Sequence, residues 1–599
     1  MKNSKTLLLF IILTSVVVLC VRAYYFYPYY ADDSYITLRY AQRLLDGYGL
    51  TWNNGIPVEG YSNLSWTLLM AGFGALGVDM ELATRITGLA LSISIIGLLA
   101  YYIKTRYNGD PRIVAIVLAF FSICGIVSVW SIAGLEQPLV AFLALFAIIK
   151  LFDFRDYKKK SNLILSSIAL GLLCITRPDG IMLCFILGTY LFIINKNEVK
   201  KAILLVSQLA IFPLLFYFGQ LAFRIYYYGE LVPNTALVKV TPSFYHSWIG
   251  LRYTLRFFRT NSSLILITLG LVFLLYKNRH KNLKLISTIL FFWFAYLSFI
   301  GGDIFDAFRH HFYSLVFILI LLADGLYEFF KSNYYKKWNK NILVVLLILS
   351  FSYFVYRQFT DSRYMNVKNL NIAYHHLTLA KELKATFSDV QPLVALDAAG
   401  VIPYTTKFPS LDMLGLNDYY IARHKPKTMG KGFIGHELGD PEYTLDQSPD
   451  IIQMDYGVRE PVRYIDSMLY INKRFKENYR DISVFAKADN GYDYEGVLWF
   501  NIFSNKVGIR SVGNKVIIPA YYFKTTEEVF NEFKESNLLL PIEPNQEFEL
   551  LLPYRIQINT IYTEPVGVEI LHSSEGKNTR ITIKNNSNEK KYLKEVVVK

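Results

Sequence analysis

The chain is 599 residues long, 53% hydrophobic and 16% aromatic, with 18% charged residues and a net charge of +14. A soluble chain of that length would divide into several water-facing domains, whereas apolar runs of membrane-span length recur here from Leu7 to about Phe354. The charge does not point to nucleic acid: Lys and Arg gather in short loops between apolar runs (Lys158-Lys159-Lys160; Lys277, Arg279, Lys281; Lys331, Lys336, Lys337), which is a topology signal.

Lys2 and Lys5 precede the first apolar run, Thr6–Val21. Bulky Tyr24-Tyr25-Phe26-Tyr27 follow it in place of a small-residue cleavage site, so the run is expected to be a retained anchor. Next comes the stretch Pro28–Trp66. Asp32 and Asp33 open an amphipathic pattern (Tyr35, Leu38, Ala41, Leu45) that ends at Gly47, and Asn53-Asn54-Gly55 marks a turn before Pro57. The apolar run Leu64–Val78 is short and rich in glycine and alanine. Placed along the outer surface as a juxtamembrane helix, it leaves the basic loops Lys104–Arg112, Lys150–Lys160, Lys196–Lys201, Lys277–Lys284 and Lys331–Lys340 all on the cytoplasmic side. The further spans predicted are Ile86–Ile103, Ile113–Ser131, Leu139–Leu151, Leu163–Ile175, Ile181–Ile194, Ala202–Tyr226, Leu264–Tyr276, Leu285–Ile300, Phe312–Phe330 and Ile342–Tyr356, about eleven with the first. The outer loops are then Arg22–Arg85, Ile132–Gln137, Thr176–Gly180, Tyr227–Ser263 and Gly301–His311. They hold nearly all the unusual polar residues: Glu136, Arg177, Asp179, Asn234, Lys239, Asp303, Asp306, Arg309, His310 and His311.

Beyond Tyr356 the spans stop. Leu393–Leu396, Ser410–Leu416 and Pro449–Met454 read as buried strands of a small α/β domain reaching to about Asn505. Short apolar runs at Val516–Pro519, Phe548–Leu552, Val566–Leu571 and Thr579–Ile583 suggest a β-rich, sandwich-like end. The expected division is 1–357, 358–505 and 506–599, with an odd number of spans placing the last two parts outside the cytoplasm. Cys20, Cys124, Cys174 and Cys184 all fall in apolar runs, so no disulfide framework is read.

Each polar motif has two readings. One aspartate of Asp32-Asp33 suffices to cap a helix, so the second suggests a general base that deprotonates an acceptor hydroxyl. Glu136 is either an ordinary helix-start residue before Pro138 or a membrane-edge acid with a function. Arg177-Pro178-Asp179 is a helix break with a local ion pair or a phosphate holder. Gly301-Gly302-Asp303 and Arg309-His310-His311 divide in the same way, and Pro233-Asn234-Thr235 is a turn or a substrate contact. Adjacent histidines on a helix point ~100° apart, so no metal site is expected; the sequence fixes no cofactor and leaves a divalent cation open. No GxGxxG, Walker or Gly-x-Ser-x-Gly motif stands in a supporting context, which favours a lipid-linked donor over a nucleotide.

The acid-pair stretch resembles the first extracytoplasmic loop of GT-C glycosyltransferases. It is most similar to the terminal β-arabinofuranosyltransferase family, together with GLEQPL (Gly134–Leu139), TRPDG (Thr176–Gly180), LVPNTALVK (Leu231–Lys239), GGDIFDAFRHHF (Gly301–Phe312) and LDMLGLNDYYIAR (Leu411–Arg423) followed by Gly435-His436. The resemblance implies a GT-C fold: a polytopic helical membrane protein with juxtamembrane helices and a C-terminal extracytoplasmic region. The resemblance further implies a protein of a bacterial inner membrane that would move a sugar from a polyprenyl-phosphate donor to a glycan or lipid-linked acceptor with inversion. By that resemblance Asp32 or Asp33 is the catalytic base and cationic side chains hold the donor phosphate; Arg177, Arg309 and His310 are the residues nominated here for it, and Glu136, Asp179, Asn234, Lys239 and Asp303 are expected to contact substrate. Rival readings are a surface-polysaccharide polymerase or ligase and a non-enzymatic transporter or flippase of lipid-linked sugars. A transporter is expected to show mid-span charges and matching broken helices in two halves, and the sequence shows no internal repeat.

Overall fold

A computed structural model describes residues 2–239, 241, 243–331, 340–369, 372–432, 434–454, 463–487, 493–512, 515–523, 540–552, 561–563, 568–575, 578–593 and 595–598. Most of the basic loop Lys331–Lys340 and the start of the Val566–Leu571 run lie outside these residues. The chain forms two compact units: Met1–Trp52 with Pro57–Asn371 and Thr428–Ile434, and Asn53–Ile56 with Ile372–Lys427 and Gly435–Lys599.

The first unit is helical. Its elements are α1 (Lys2–Tyr25), α2 (Asp32–Leu45), α3 (Leu64–Ala75), α4 (Met80–Tyr107), α5 (Pro111–Ile123), α6 (Gly125–Trp130), α7 (Gln137–Tyr157), α8 (Lys160–Thr176), α9 (Gly180–Ile194), α10 (Val199–Tyr228), α11 (Asn234–Lys239), α12 (Phe244–Thr260), α13 (Ser262–Lys277), α14 (Leu283–Phe299) and α15 (His311–Lys331). Lys340–Thr360 and Ser362–Asn369 follow. Helices α7 and α15 are apolar on every face and buried over most of their length, which makes them the centre of the bundle. Helices α1 and α10 instead expose rows of large apolar side chains such as Phe10, Leu13, Val17, Leu215 and Phe218. A surface of that kind is adverse in water and suited to lipid.

Among the described residues, five helices (Lys5–Tyr25, α4, α7, α10 and α15) are long and apolar enough to cross a membrane. The bent pair α12–α13 makes a sixth if counted as one span, and α3, α5, α8, α9 and α14 are shorter apolar helices. Length and composition of the described residues therefore do not by themselves fix the number of crossings at the expected eleven. The 12 residues of α3 extend only ~18 Å at 1.5 Å per residue, short of the ~30 Å hydrocarbon thickness. The run read as one span, Ile113–Ser131, is broken at Cys124, whose backbone is extended (φ −62°, ψ 125°). Gly125 lies so close to the Tyr364 ring that a Cβ there would fall 2.6 Å from it. At the end of the bundle away from the α7 N-terminus, fully buried Asp324 accepts from Tyr102 Oη and Tyr107 Oη (2.5 Å each) and from Asn282 Nδ2 (3.1 Å).

The second unit holds a five-stranded sheet in the order β2-β1-β3-β5-β4, built from β1 (Val394–Leu396), β2 (Ser410–Asp412), β3 (Ile451–Gln453), β4 (Tyr479–Lys487) and β5 (Asp493–Asn501). The first three strands are mutually parallel, with Leu396 in register with Asp412 and Gln453, and β5 joins antiparallel. Strands β1–β3 are buried throughout, as a sheet covered on both faces requires. From Arg510 onward the described residues form smaller antiparallel sheets around Ile518, Phe548, Ile581, Ile583 and Val596. At the carboxyl end of β1, Asp397 is ion-paired with Arg463 (2.6 Å), both side chains being buried. Replacing Arg463 with Leu leaves a buried carboxylate without its cation. The substitution is expected to lower stability by about 3–5 kcal/mol, read as a lower denaturation midpoint by intrinsic fluorescence; an unchanged midpoint would show the pair to be dispensable.

Candidate active site

The site builds from the start of α2. Ala31, in extended backbone, takes the N-cap position and makes no side-chain cap bond, so Asp32 and Asp33 fall inside the first helical turn. Neither acid is the cap residue, and both sit at the positive end of the helix dipole. The lead-in is fastened to the turn Ser131–Glu136. Ala31 N–H and Ser34 Oγ both donate to the Ala133 carbonyl (3.1 and 2.9 Å), and Trp66 Nε1 donates to the Gly134 carbonyl (3.0 Å).

That turn delivers Glu136 to the N-terminus of α7. Its carboxylate accepts from Asn63 Nδ2 (2.9 Å), Gln137 Nε2 (3.1 Å) and Arg177 Nη1 (2.9 Å). Arg177, where α8 ends, spends its remaining fork on Asp179 (Nε 3.0 Å, Nη2 2.9 Å), which also accepts from Tyr296 Oη (3.3 Å). Burial alone would raise the Glu136 carboxyl, but Arg177 and then Arg309 outweigh it and hold it below the usual range. Burial works against the Arg177 charge too, and Asp179 and Glu136 overcome it, so the guanidinium is held above its ordinary value.

The loop before α15 brings the second arginine. Arg309 donates from Nε (3.0 Å) and Nη2 (2.7 Å) to Asp303 and lies over the Phe305 ring (4.5 Å) with Trp130 beyond (5.8 Å). Its Nη1 makes no hydrogen bond among the described residues. The fields of Asp303, Asp33 and Glu136 exceed the cost of its burial and keep it charged. His310 is lowered well below the ordinary histidine value, first by burial and then by Arg177 and Arg309, so its ring is neutral. Its peptide N–H donates to Tyr253 Oη (3.3 Å), and its carbonyl accepts from Trp293 Nε1 (3.1 Å). The ring's Nε2 lies 4.0 Å from Asp303. Lys239, at the end of α11, closes the set with Nζ 3.6 Å from Asp33 Oδ2, both side chains partly exposed.

The sequence-predicted residues Asp33, Glu136, Arg177, Asp179, Lys239, Asp303, Arg309 and His310 thus form one electrostatically coupled group, with Asp32 beside Asp33 in the same turn. Asn234 is placed by another anchor: its N–H donates to the Glu59 carbonyl (3.0 Å), and Glu59 pairs with Arg224. The sequence reading missed Asn63, Tyr253, Tyr296 and the Trp130–Phe305 pair. Among the described residues no three His, Cys, Asp or Glu are grouped so as to hold a metal ion.

The helices and this paired-charge site define a multi-pass membrane protein that resembles the GT-C glycosyltransferases. Over 221 residues the chain is 28% identical to the terminal β-(1→2)-arabinofuranosyltransferase of Mycobacterium tuberculosis (strain ATCC 25618 / H37Rv); the match takes in 35% of this chain and about a third (34%) of the relative. ArnT from Cupriavidus metallidurans in the apo state shares the fold, with a TM-score of 0.52 at 10% identity over 83% of this chain and 98% of ArnT. The same ArnT bound to undecaprenyl phosphate aligns with a TM-score of 0.48 at 10% identity, over 67% of this chain and 85% of ArnT. Residues 368–500 match a family described as a domain of unknown function, DUF8728.

Gly134 holds the turn through a φ of +91°, and a Cβ there would fall 2.4 Å from the Tyr30 ring. Gly134→Ala is therefore expected to cost at least the ~1–3 kcal/mol of a strained backbone, seen as a lowered melting temperature. A wild-type melting temperature would show that the turn relaxes freely.

Proposed function

We propose that the chain is an inverting glycosyltransferase of a bacterial inner membrane, taking a sugar from a polyprenyl-phosphate donor to a cell-envelope glycan or lipid-linked acceptor at the extracytoplasmic face. The observation that carries this is the partly exposed Asp33, 3.6 Å from Lys239 and in the field of Arg309, whose Nη1 makes no hydrogen bond among the described residues. In the reaction, the Asp33 or Asp32 carboxylate takes the proton of the acceptor hydroxyl as its oxygen bonds to the anomeric carbon. The bond from that carbon to the phosphate oxygen breaks, and the electron pair leaves with the lipid phosphate. Charge grows on the phosphate, and donors aimed there gain strength between ground and transition state.

Arg309 Nη1 and the neutral His310 ring are the groups suited to that phosphate, with Lys239 beside them. All three Arg177 nitrogens already bond Glu136 or Asp179, which fits a positioning role. A lipid-linked donor also needs a place for its tail. An apolar groove of about 340 Å³ runs between α8, α9 and α10, lined by Leu170, Ile181, Phe185, Phe192, Leu209 and Leu214. The sugar-transfer activity of the arabinofuranosyltransferase relative supports the same reading.

Purified protein offered a polyprenyl-phosphate pentose or hexose and a glycan acceptor is expected to transfer the sugar. Loss of the base should cost ~10²–10⁴ in rate, so at least one of Asp32→Asn and Asp33→Asn should fall by that much; full transfer in both removes the base assignment. Arg309→Gln is expected to lower kcat/KM by ~10²–10³, the usual loss for a donor aimed at developing charge. An effect confined to KM would move Arg309 from transition-state stabilisation to simple binding.

A further inference from the structure

Helix α12 lies in the stretch that the sequence assigns to an outer loop, and its residues separate into three stripes at helical spacing. His246, Gly250, Tyr253 and Phe257 are buried; Phe244, Trp248, Leu251 and Leu255 are exposed; Arg252, Arg256 and Arg259 form a third, exposed row. The buried stripe packs on the site. Tyr253 Oη accepts from His310 N–H, the Phe257 and His311 rings stack at 4.0 Å, and a Cβ on Gly250 would fall 2.4 Å from the Leu297 carbonyl oxygen. Between α12 and the apolar helix α13 the chain turns by 89°. If α13 runs along the bilayer normal, α12 lies in the plane of the surface, with an aromatic-aliphatic edge beside a cationic one. That is the arrangement of a helix seated at the headgroup level.

The three arginines have no hydrogen-bond or carboxylate partner within 4 Å among the described residues. Arg256 is depressed from its ordinary value by partial burial and then by Arg363, Arg252 and Arg259. The nearby carboxylate, Asp306, is already held by Arg363 (2.8 Å). We infer that this row is a binding site for anionic phospholipid headgroups, which supply the negative charge the protein withholds while the apolar edge enters the acyl region. The lipid surface then holds the outer side of the helix whose inner side fixes His310. A polyanionic glycan would satisfy the arginines but leave Phe244, Trp248, Leu251 and Leu255 facing water. The inference rests on the membrane-embedded fold and not on the transferase reading.

The full chain is reconstituted in phosphatidylcholine nanodiscs containing roughly 30 mol% phosphatidylglycerol, extracted into detergent, and its retained lipids are quantified by mass spectrometry. Wild type is expected to retain phosphatidylglycerol well above its bulk share. Arg252→Gln, Arg256→Gln and Arg259→Gln should each reduce that enrichment by up to about fivefold, the equivalent of ~1 kcal/mol per basic residue at an anionic surface. The triple Lys variant should retain most of it. Unaltered melting temperatures establish that the variants fold, which is expected for exposed residues without partners. Retention of phosphatidylglycerol at its bulk share in wild type, or equal enrichment in the triple Gln variant, overturns the proposal. Arginine-dependent capture of a soluble sulfated polysaccharide without lipid enrichment overturns it too and assigns the row to a glycan.

Discussion

Burial of guanidinium charge is the constraint on which the site depends. Removing such a group from water costs several kcal/mol, and only well-placed carboxylates and further hydrogen bonds offset it. Arg177 and Arg309 both lie at helix ends with little exposure, and the chain meets each with acids from separate loops. Glu136 comes from the turn before α7, Asp179 from the break after α8 and Asp303 from the loop before α15. Because the first of these turns also accepts the bonds that start α2, the acid pair is set in position by the same construction that neutralises Arg177.

That construction also decides which cation is left for a ligand. Against Lys239, Arg177 and Arg309 stand Asp32, Asp33, Glu136, Asp179 and Asp303, so a phosphate entering this group meets more acid than base. It is favoured only where a donor is not consumed by protein. Every nitrogen of Arg177 already bonds a carboxylate, whereas Arg309 Nη1 and the His310 ring make no hydrogen bond among the described residues. The surplus of acid opposes the departing phosphate, with its second negative charge, more than the singly charged diester. A lower barrier must therefore come from a donor such as Arg309 Nη1, whose bond strengthens as that charge develops.

Much of this was legible before the structure, for a simple reason. Polar residues between apolar runs are costly to place in a membrane chain, so Asp32, Asp33, Glu136, Arg177 and Arg309 stood out. Their pairing did not, since Glu136 meets Arg177 and Asp179 meets Tyr296 across long stretches of sequence. Asn63, Tyr253 and Tyr296 carry no local signal: each is an ordinary helix or loop residue until its partner arrives. The break at Cys124 was invisible because apolar residues continue through it, and its close neighbour Tyr364 belongs to a distant helix. In α12 the three stripes are visible as spacing alone, but only the packing of Gly250 and Tyr253 shows which stripe faces inward. In the second unit short apolar runs marked β1, β2 and β3, while their order across the sheet follows from non-local pairing.

The helix start at Ala31 bears on how the acid pair works. An aspartate at the cap would spend its oxygens on backbone N–H groups of the first turn; here the cap residue contributes no side chain, and the acids project from the turn itself. In the proposed reaction α2 supplies position: a carboxylate held rigidly beside the acceptor hydroxyl would convert an encounter into an internal step. The bonds from Ala31, Ser34 and Trp66 to the Ala133–Gly134 turn are what hold it at a fixed place relative to Arg309.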